Sequence, residues 1–153
     1  MDAIKKVINQ IIDIGSLENK TTVFLIGNTA KVEDAEFYLS PIRNYNQIVV
    51  AGAIVFGEEV AKKIARMIDG LVDYVFVDSE KKIVDKCSVS TTPGNIERAV
   101  REIVISSTLI SYKANDLTVD AADSFIVEYF AHDIASIGGK KTAVIGAGNI
   151  GSK

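Results

Sequence analysis

The chain has 153 residues, 48% hydrophobic and 24% charged, with a formal net charge of −3. That apolar content excludes a disordered chain, and 11 Gly with 2 Pro exclude a collagenous or low-complexity one. The acidic balance argues against nucleic-acid binding, and a single cysteine leaves no disulfide framework and no ligand set for structural zinc.

In chain order, Ile4, Val7, Ile8, Ile11 and Ile12 fall on one face of a helix over 3–14, with Gly15 as its expected C-cap. Thr21 to Ile26 is an apolar, β-branched run ended by Gly27-Asn28, and reads as a buried strand. Asp34 to Leu39 reads as a helix stopped by Ser40-Pro41, and Gln47 to Ala51 as a second buried strand. Glu58 to Ile68 is an amphipathic helix, and Tyr74 to Val77 a strand followed by the charged turn Asp78 to Lys82. Pro93-Gly94-Asn95 punctuates before a helix from Ile96 to Val104. Thr108 to Ile110 is a strand, Ala121 to Ile134 the longest helix, and Lys141 to Ile145 the closing strand. Strands alternating with helices predict an α/β protein with a mainly parallel, helix-covered sheet.

The closing strand runs into Gly146-Ala147-Gly148-Asn149-Ile150-Gly151, a G-x-G-x-x-G. Gly146 permits a tight turn, Gly148 lets backbone approach a pyrophosphate, and Gly151 allows close helix–strand packing. Amides of a following helix would bind the phosphates. The pattern predicts binding of NAD or NADP, with S-adenosylmethionine as the alternative cofactor. Residues 139–153 are then expected to be the start of a truncated dinucleotide-binding (Rossmann) domain, and 1–138 a separate α/β substrate domain. A chain stopping at that turn is expected to be inactive alone.

Ser111-Tyr112-Lys113-Ala114-Asn115-Asp116, Thr118 to Asp123, and Gly139 to Gly151 carry a resemblance. Together the layout is similar to dehydrogenases with an amino-acid-dehydrogenase-like N-terminal domain. This group includes shikimate dehydrogenase and the methylene-tetrahydrofolate and methylene-tetrahydromethanopterin dehydrogenases. In shikimate dehydrogenase a strand-end Asn-Val-Thr-x-Pro-x-Lys segment carries the catalytic lysine. Here Leu109-Ile110-Ser111-Tyr112-Lys113 keeps the lysine without the Asn and Pro. S-adenosylhomocysteine hydrolase has a similar Asn-Asp segment and helix before its fingerprint. The resemblance implies an NAD(P)-dependent oxidoreductase acting on a small polar substrate, or a transferase or hydrolase tied to S-adenosylmethionine or S-adenosylhomocysteine. A non-catalytic nucleotide-sensing module is the third reading.

On chemistry, Lys113 at a strand's end can lose pKa by desolvation and transfer a proton while a cofactor moves a hydride. Asp116 is a second candidate catalytic residue, or a hydrogen-bonding contact to a polar substrate. Asn115 and Asp120, read as lying in the same loop, are candidate substrate contacts, as are Asn28 and Thr29 at the end of the first strand. Asp123 is a lesser candidate, and Asp116 or Thr118 can equally cap the next helix. Glu128 and His132, four apart on one helix face, can pair but are too few for a metal site. Cys87 reads as a small buried hydrophobe, and Ser90 to Asn95 as an anion cradle or an ordinary N-cap. No apolar run approaches the ~20 residues of a bilayer span, and Met1 to Lys6 lacks a signal-peptide core. A soluble, cytoplasmic protein is expected, with no metal, nucleic-acid or membrane partner, and self-associating as a homo-oligomer.

Overall fold

The computed structural model describes residues 1–29, 35–80, 83–84, 93–94, 96–130, 138–139, 141 and 143. The chain divides into two compact units, Met1–Tyr112 and Lys113–Lys153.

The first unit opens with helix α1 (Asp2–Glu18), which buries Ile4, Ile8, Ile11 and Gly15 along one stripe. Gly15 does not end it. The helix continues to Asn19, whose left-handed conformation (φ 51°, ψ 52°) closes it with its amide on the Gly15 carbonyl. Gly15 serves close packing instead. A Cβ there would lie 2.5 Å from Thr22 Cγ2 and 3.1 Å from the Lys20 carbonyl oxygen.

Strands β1 (Thr21–Asn28), β4 (Ile48–Val55), β5 (Tyr74–Asp78) and β8 (Thr108–Tyr112) run parallel in the order β4-β1-β5-β8. Strands β2 (Phe37–Leu39) and β3 (Arg43–Asn44) lie antiparallel on the outer edge of β4, so the sheet is mixed and mostly parallel. The helix expected over Asp34 to Leu39 is therefore corrected at Phe37–Leu39. Phe37 and Leu39 pack against the core while Tyr38 between them is 46% exposed, a period of two that only a strand provides. A short antiparallel pair, β6 (Ile83–Val84) with β7 (Pro93–Gly94), lies off this sheet.

Helix α2 (Glu58–Ile68) buries Ala61, Ile64, Ala65 and Ile68, spaced to form one stripe. Helix α3 (Ile96–Arg101) ends earlier than its pattern predicts and buries Ile96, Ala99 and Val100. Both connect parallel strands that step in the same direction across the sheet, β4 to β5 and β5 to β8. Right-handed crossovers place such helices on the same face.

The core has one parity. Phe24 and Ile26 of β1, Val49, Ala51, Ala53 and Val55 of β4, and Val75 and Val77 of β5 meet α1, α2 and α3 in one cluster. Burying each large aliphatic or aromatic side chain there is worth roughly 1.5–3 kcal/mol. Leu25, Val50, Ile54, Phe76 and Ile110 have the other parity. None of them belongs to that cluster, and Ile54 is 38% exposed.

In the second unit, helix α4 (Ala114–Tyr129) begins seven residues before the expected Ala121, and none of its residues is buried. Asn115, Asp116 and Asp120 are consequently helical, not in a loop. The expected strand at Lys141 to Ile145 lies largely outside the described residues.

Candidate functional site

A parallel sheet whose strand order reverses leaves a crevice at the carboxyl ends of the two strands flanking the reversal. Here the chain steps from β1 outward to β4, then returns past β1 to β5, so the reversal lies between β1 and β5. Asn28 ends β1 and Asp78 ends β5.

These ends are tied together. Asn28 is 6% exposed, and its Nδ2 donates to the Glu80 carbonyl oxygen. Asp78 is 1% exposed, and its Oδ1 accepts from the Glu80 amide at 2.9 Å. One residue of the β5 turn is thus held by side chains of two neighbouring strands. A third strand joins in, since the Ser79 amide (2.8 Å) and hydroxyl (3.0 Å) both donate to the Tyr112 carbonyl oxygen. Ser79 and the Glu80 backbone are thus engaged by three strands.

The Tyr112 side chain lies over the same region. Its hydroxyl is 3.6 Å from the point a Cβ on Gly27 would occupy, and its ring stands 6.4 Å from that of Phe76. Burial first, then the negative charges of Asp78 and Glu80, push the phenol up to about 12. At neutral pH Tyr112 is therefore protonated, a hydrogen-bond donor and not a base. Asn28 Oδ1 stands apart: it is buried and has no hydrogen-bond partner among the described residues.

The donor set is wrong for a pyrophosphate. Asn28 Oδ1 and the Asp78 and Glu80 carboxylates are acceptors. The N-terminus of α2, at the end of β4, carries Glu58 and Glu59 in its first turn. Both features disfavour anions. The strand-end cluster suits a hydrogen-bond donor better than an anion.

A second depression, of about 790 Å³, opens at the opposite, amino ends of the strands beside Lys20, Gly70, Asp73 and Ser106. Its carboxylates are occupied by the fold. Asp73 Oδ2 accepts from the Thr22 amide, and nearby Asp69 Oδ1 accepts from the amides of Ile105, Ser106 and Ser107.

The sequence candidates separate into two groups. Asn28 and Thr29 lie at the β1 end of the reversal. Lys113 is the N-cap of α4, exposed, with no side-chain capping bond. Asp116 and Asp120 follow at spacings that stack them above it on one helical stripe, while Asn115 is turned about 100° from Asp116. The Thr118 hydroxyl does not cap the helix; it donates to the Ala114 carbonyl at 2.9 Å. Asp123 is exposed on the same helix. Gly146 to Gly151, His132, Cys87, Ser90 to Thr92 and Asn95 lie outside the described residues.

Sequence reasoning misses Asp78, Glu80 and Tyr112, because Asp78 to Lys82 reads as a solvated turn. The available signal is the position of Asp78, an acid closing an apolar run that precedes a parallel crossover. Among the described residues no three His, Cys, Asp or Glu side chains are grouped to hold a metal ion, and no helix is long and apolar enough to cross a membrane. No protein-family model matches the chain, and no curated protein matches it.

Proposed function

We propose that this chain is the substrate-binding part of an NAD(P)-dependent oxidoreductase that transfers a hydride between a nicotinamide and a small polar substrate. The observation that carries the reading is the reversal of strand order between β1 and β5, which gathers Asn28, Asp78 and Glu80 at one sheet edge. Further support comes from the sequence, in the strand-like lead-in and G-x-G-x-x-G of Gly146 to Gly151. In this reading those glycines hold the cofactor, which supplies the hydride acceptor or donor, and residues 1–138 supply the substrate contacts.

Asn28, Thr29, Asn115 and Asp120 are the proposed substrate contacts, and Lys113 with Asp116 the proposed proton-transfer pair. Lys113 is exposed at the start of α4. Tyr112 in turn can donate to a substrate oxygen at neutral pH but cannot take a proton from it.

Titration of the full-length protein with NAD, NADP and S-adenosylmethionine, followed by calorimetry, tests the cofactor. Binding of either nicotinamide dinucleotide supports the reading, and preference for S-adenosylmethionine replaces it with a transferase. Binding of none leaves a non-catalytic module. In a protein that turns over, Lys113→Ala should lower kcat by about a hundredfold or more, the range of general acid–base catalysis; unchanged turnover removes Lys113 from the mechanism.

A further inference from the structure

Asn28 Oδ1 is the one buried side-chain oxygen or nitrogen among the described residues that has no partner. Buried polar atoms are nearly always satisfied, because leaving one bare in a low-dielectric interior costs stability. The side chain is not free to turn and solve the problem. Its Nδ2 is held on the Glu80 carbonyl, which in turn belongs to a turn anchored by Asp78 and by Tyr112. The direction of Oδ1 is therefore set by the fold, at the sheet edge where the strand order reverses.

We propose that the carboxyl ends of β1 and β5 bind a small ligand through a hydrogen bond donated to Asn28 Oδ1, and that the group making it is an alcohol or an ammonium, not an anion. The inference rests on the reading of this edge as the substrate site, and it names the substrate's chemistry there. An amide oxygen accepts and cannot donate, so only an O–H or N–H satisfies it. Carboxylates and phosphate dianions offer neither. The surroundings point the same way. The Asp78 and Glu80 carboxylates add negative charge at this edge, and their field reaches the Tyr112 phenol. An alcohol can donate to Asn28 Oδ1; an ammonium also gains from the carboxylate field. Both are also groups whose carbon a nicotinamide can oxidise.

Three small probes of similar size separate the possibilities: ethanol, ethylammonium and acetate. Each is titrated into the isotope-labelled chain while proton–nitrogen correlation spectra follow the Asn28 side-chain amide and the Glu80 backbone amide. Ethanol or ethylammonium should move both signals saturably, acetate should not, and the tighter of the first two tells alcohol from ammonium. Asn28→Leu, folded by its own spectrum, should weaken that probe about tenfold or more. Should this variant fail to fold, the three titrations of the native chain still decide. Acetate binding as well as the others overturns the proposal. So does an absence of response to all three, which would mean that Asn28 Oδ1 holds only water. The cofactor titration is read separately. A probe that binds where no dinucleotide does keeps the ligand chemistry and ends the oxidoreductase reading. A dinucleotide that binds while acetate binds as well as the others does the reverse.

Discussion

Thr22 and Asp73 exchange three hydrogen bonds across neighbouring strands. Asp73 Oδ2 accepts from the Thr22 amide at 2.7 Å and from its hydroxyl at 2.8 Å, and the hydroxyl oxygen accepts from the Asp73 amide at 2.9 Å. The pair locks the amino end of β1 to the residue before β5, which sets the register that carries Asn28 and Asp78 to a common edge. Asp73→Ala leaves the buried Thr22 groups unpaired and should cost about 1–3 kcal/mol, read as a lower urea midpoint with an unchanged slope.

Asp69 bears on stability in acid. Burial pushes its carboxyl up, but the amides of Ser107, Ser106 and Ile105 donate to it and outweigh burial, so it titrates below its ordinary range. A folded pKa below the unfolded one means stability that is complete above the unfolded value, about 4. It is lost as pH falls through the folded value. Asp69→Asn keeps an acceptor oxygen but cannot titrate. The stability difference between the native chain and this variant should therefore shrink below about pH 4 and stay flat above it.

Tyr112 produces the opposite edge of the pH profile. Its phenol, raised to about 12, holds its proton in the folded chain after an unfolded tyrosine has released one near its ordinary value of 10. The folded state then binds more protons than the unfolded, and this group's contribution falls as pH rises between those values. In an ultraviolet titration Tyr112→Phe should remove the tyrosinate step near 12 and flatten that part of the alkaline decline.

At Gly15 two effects compete. In an isolated helix Gly15→Ala would gain about 1 kcal/mol of helix propensity. In the folded chain the new Cβ would stand 2.5 Å from Thr22 Cγ2, a short branched side chain that cannot swing away. Overpacking of this kind costs about 1–3 kcal/mol, so the variant should be less stable by thermal denaturation despite its better helix former. A higher midpoint would show that α1 can shift off the sheet.

Much of the first unit is legible in the order of its residues. The cores of β1, β4 and β5 are uninterrupted apolar runs, and α2 declares itself through Ala61, Ile64, Ala65 and Ile68. Asn28 is a candidate for a local reason: it ends such a run, and strand ends are where α/β proteins bind. Phe37 to Leu39 misleads because three residues cannot distinguish a period of two from one of 3.6; pairing with Ala53 to Val55 settles it. Asp78 and Glu80 mislead because a charged stretch is usually solvated, and nothing local says that Asn28 arrives to bind the turn 52 residues away.

The sequence by itself determined the fold class, because apolar periodicity is a local record of which face each element buries. For Gly146 to Gly151 it supplied an expectation, drawn from closely spaced glycines. Only the tertiary structure decided that the strands run in the order β4-β1-β5-β8, that Gly15 is a contact and not a cap, and that Asn28, Asp78, Glu80 and Tyr112 share one edge. Strand order depends on which long-range pairs form, and the unpartnered oxygen of Asn28 exists only once those pairs have fixed where its side chain points.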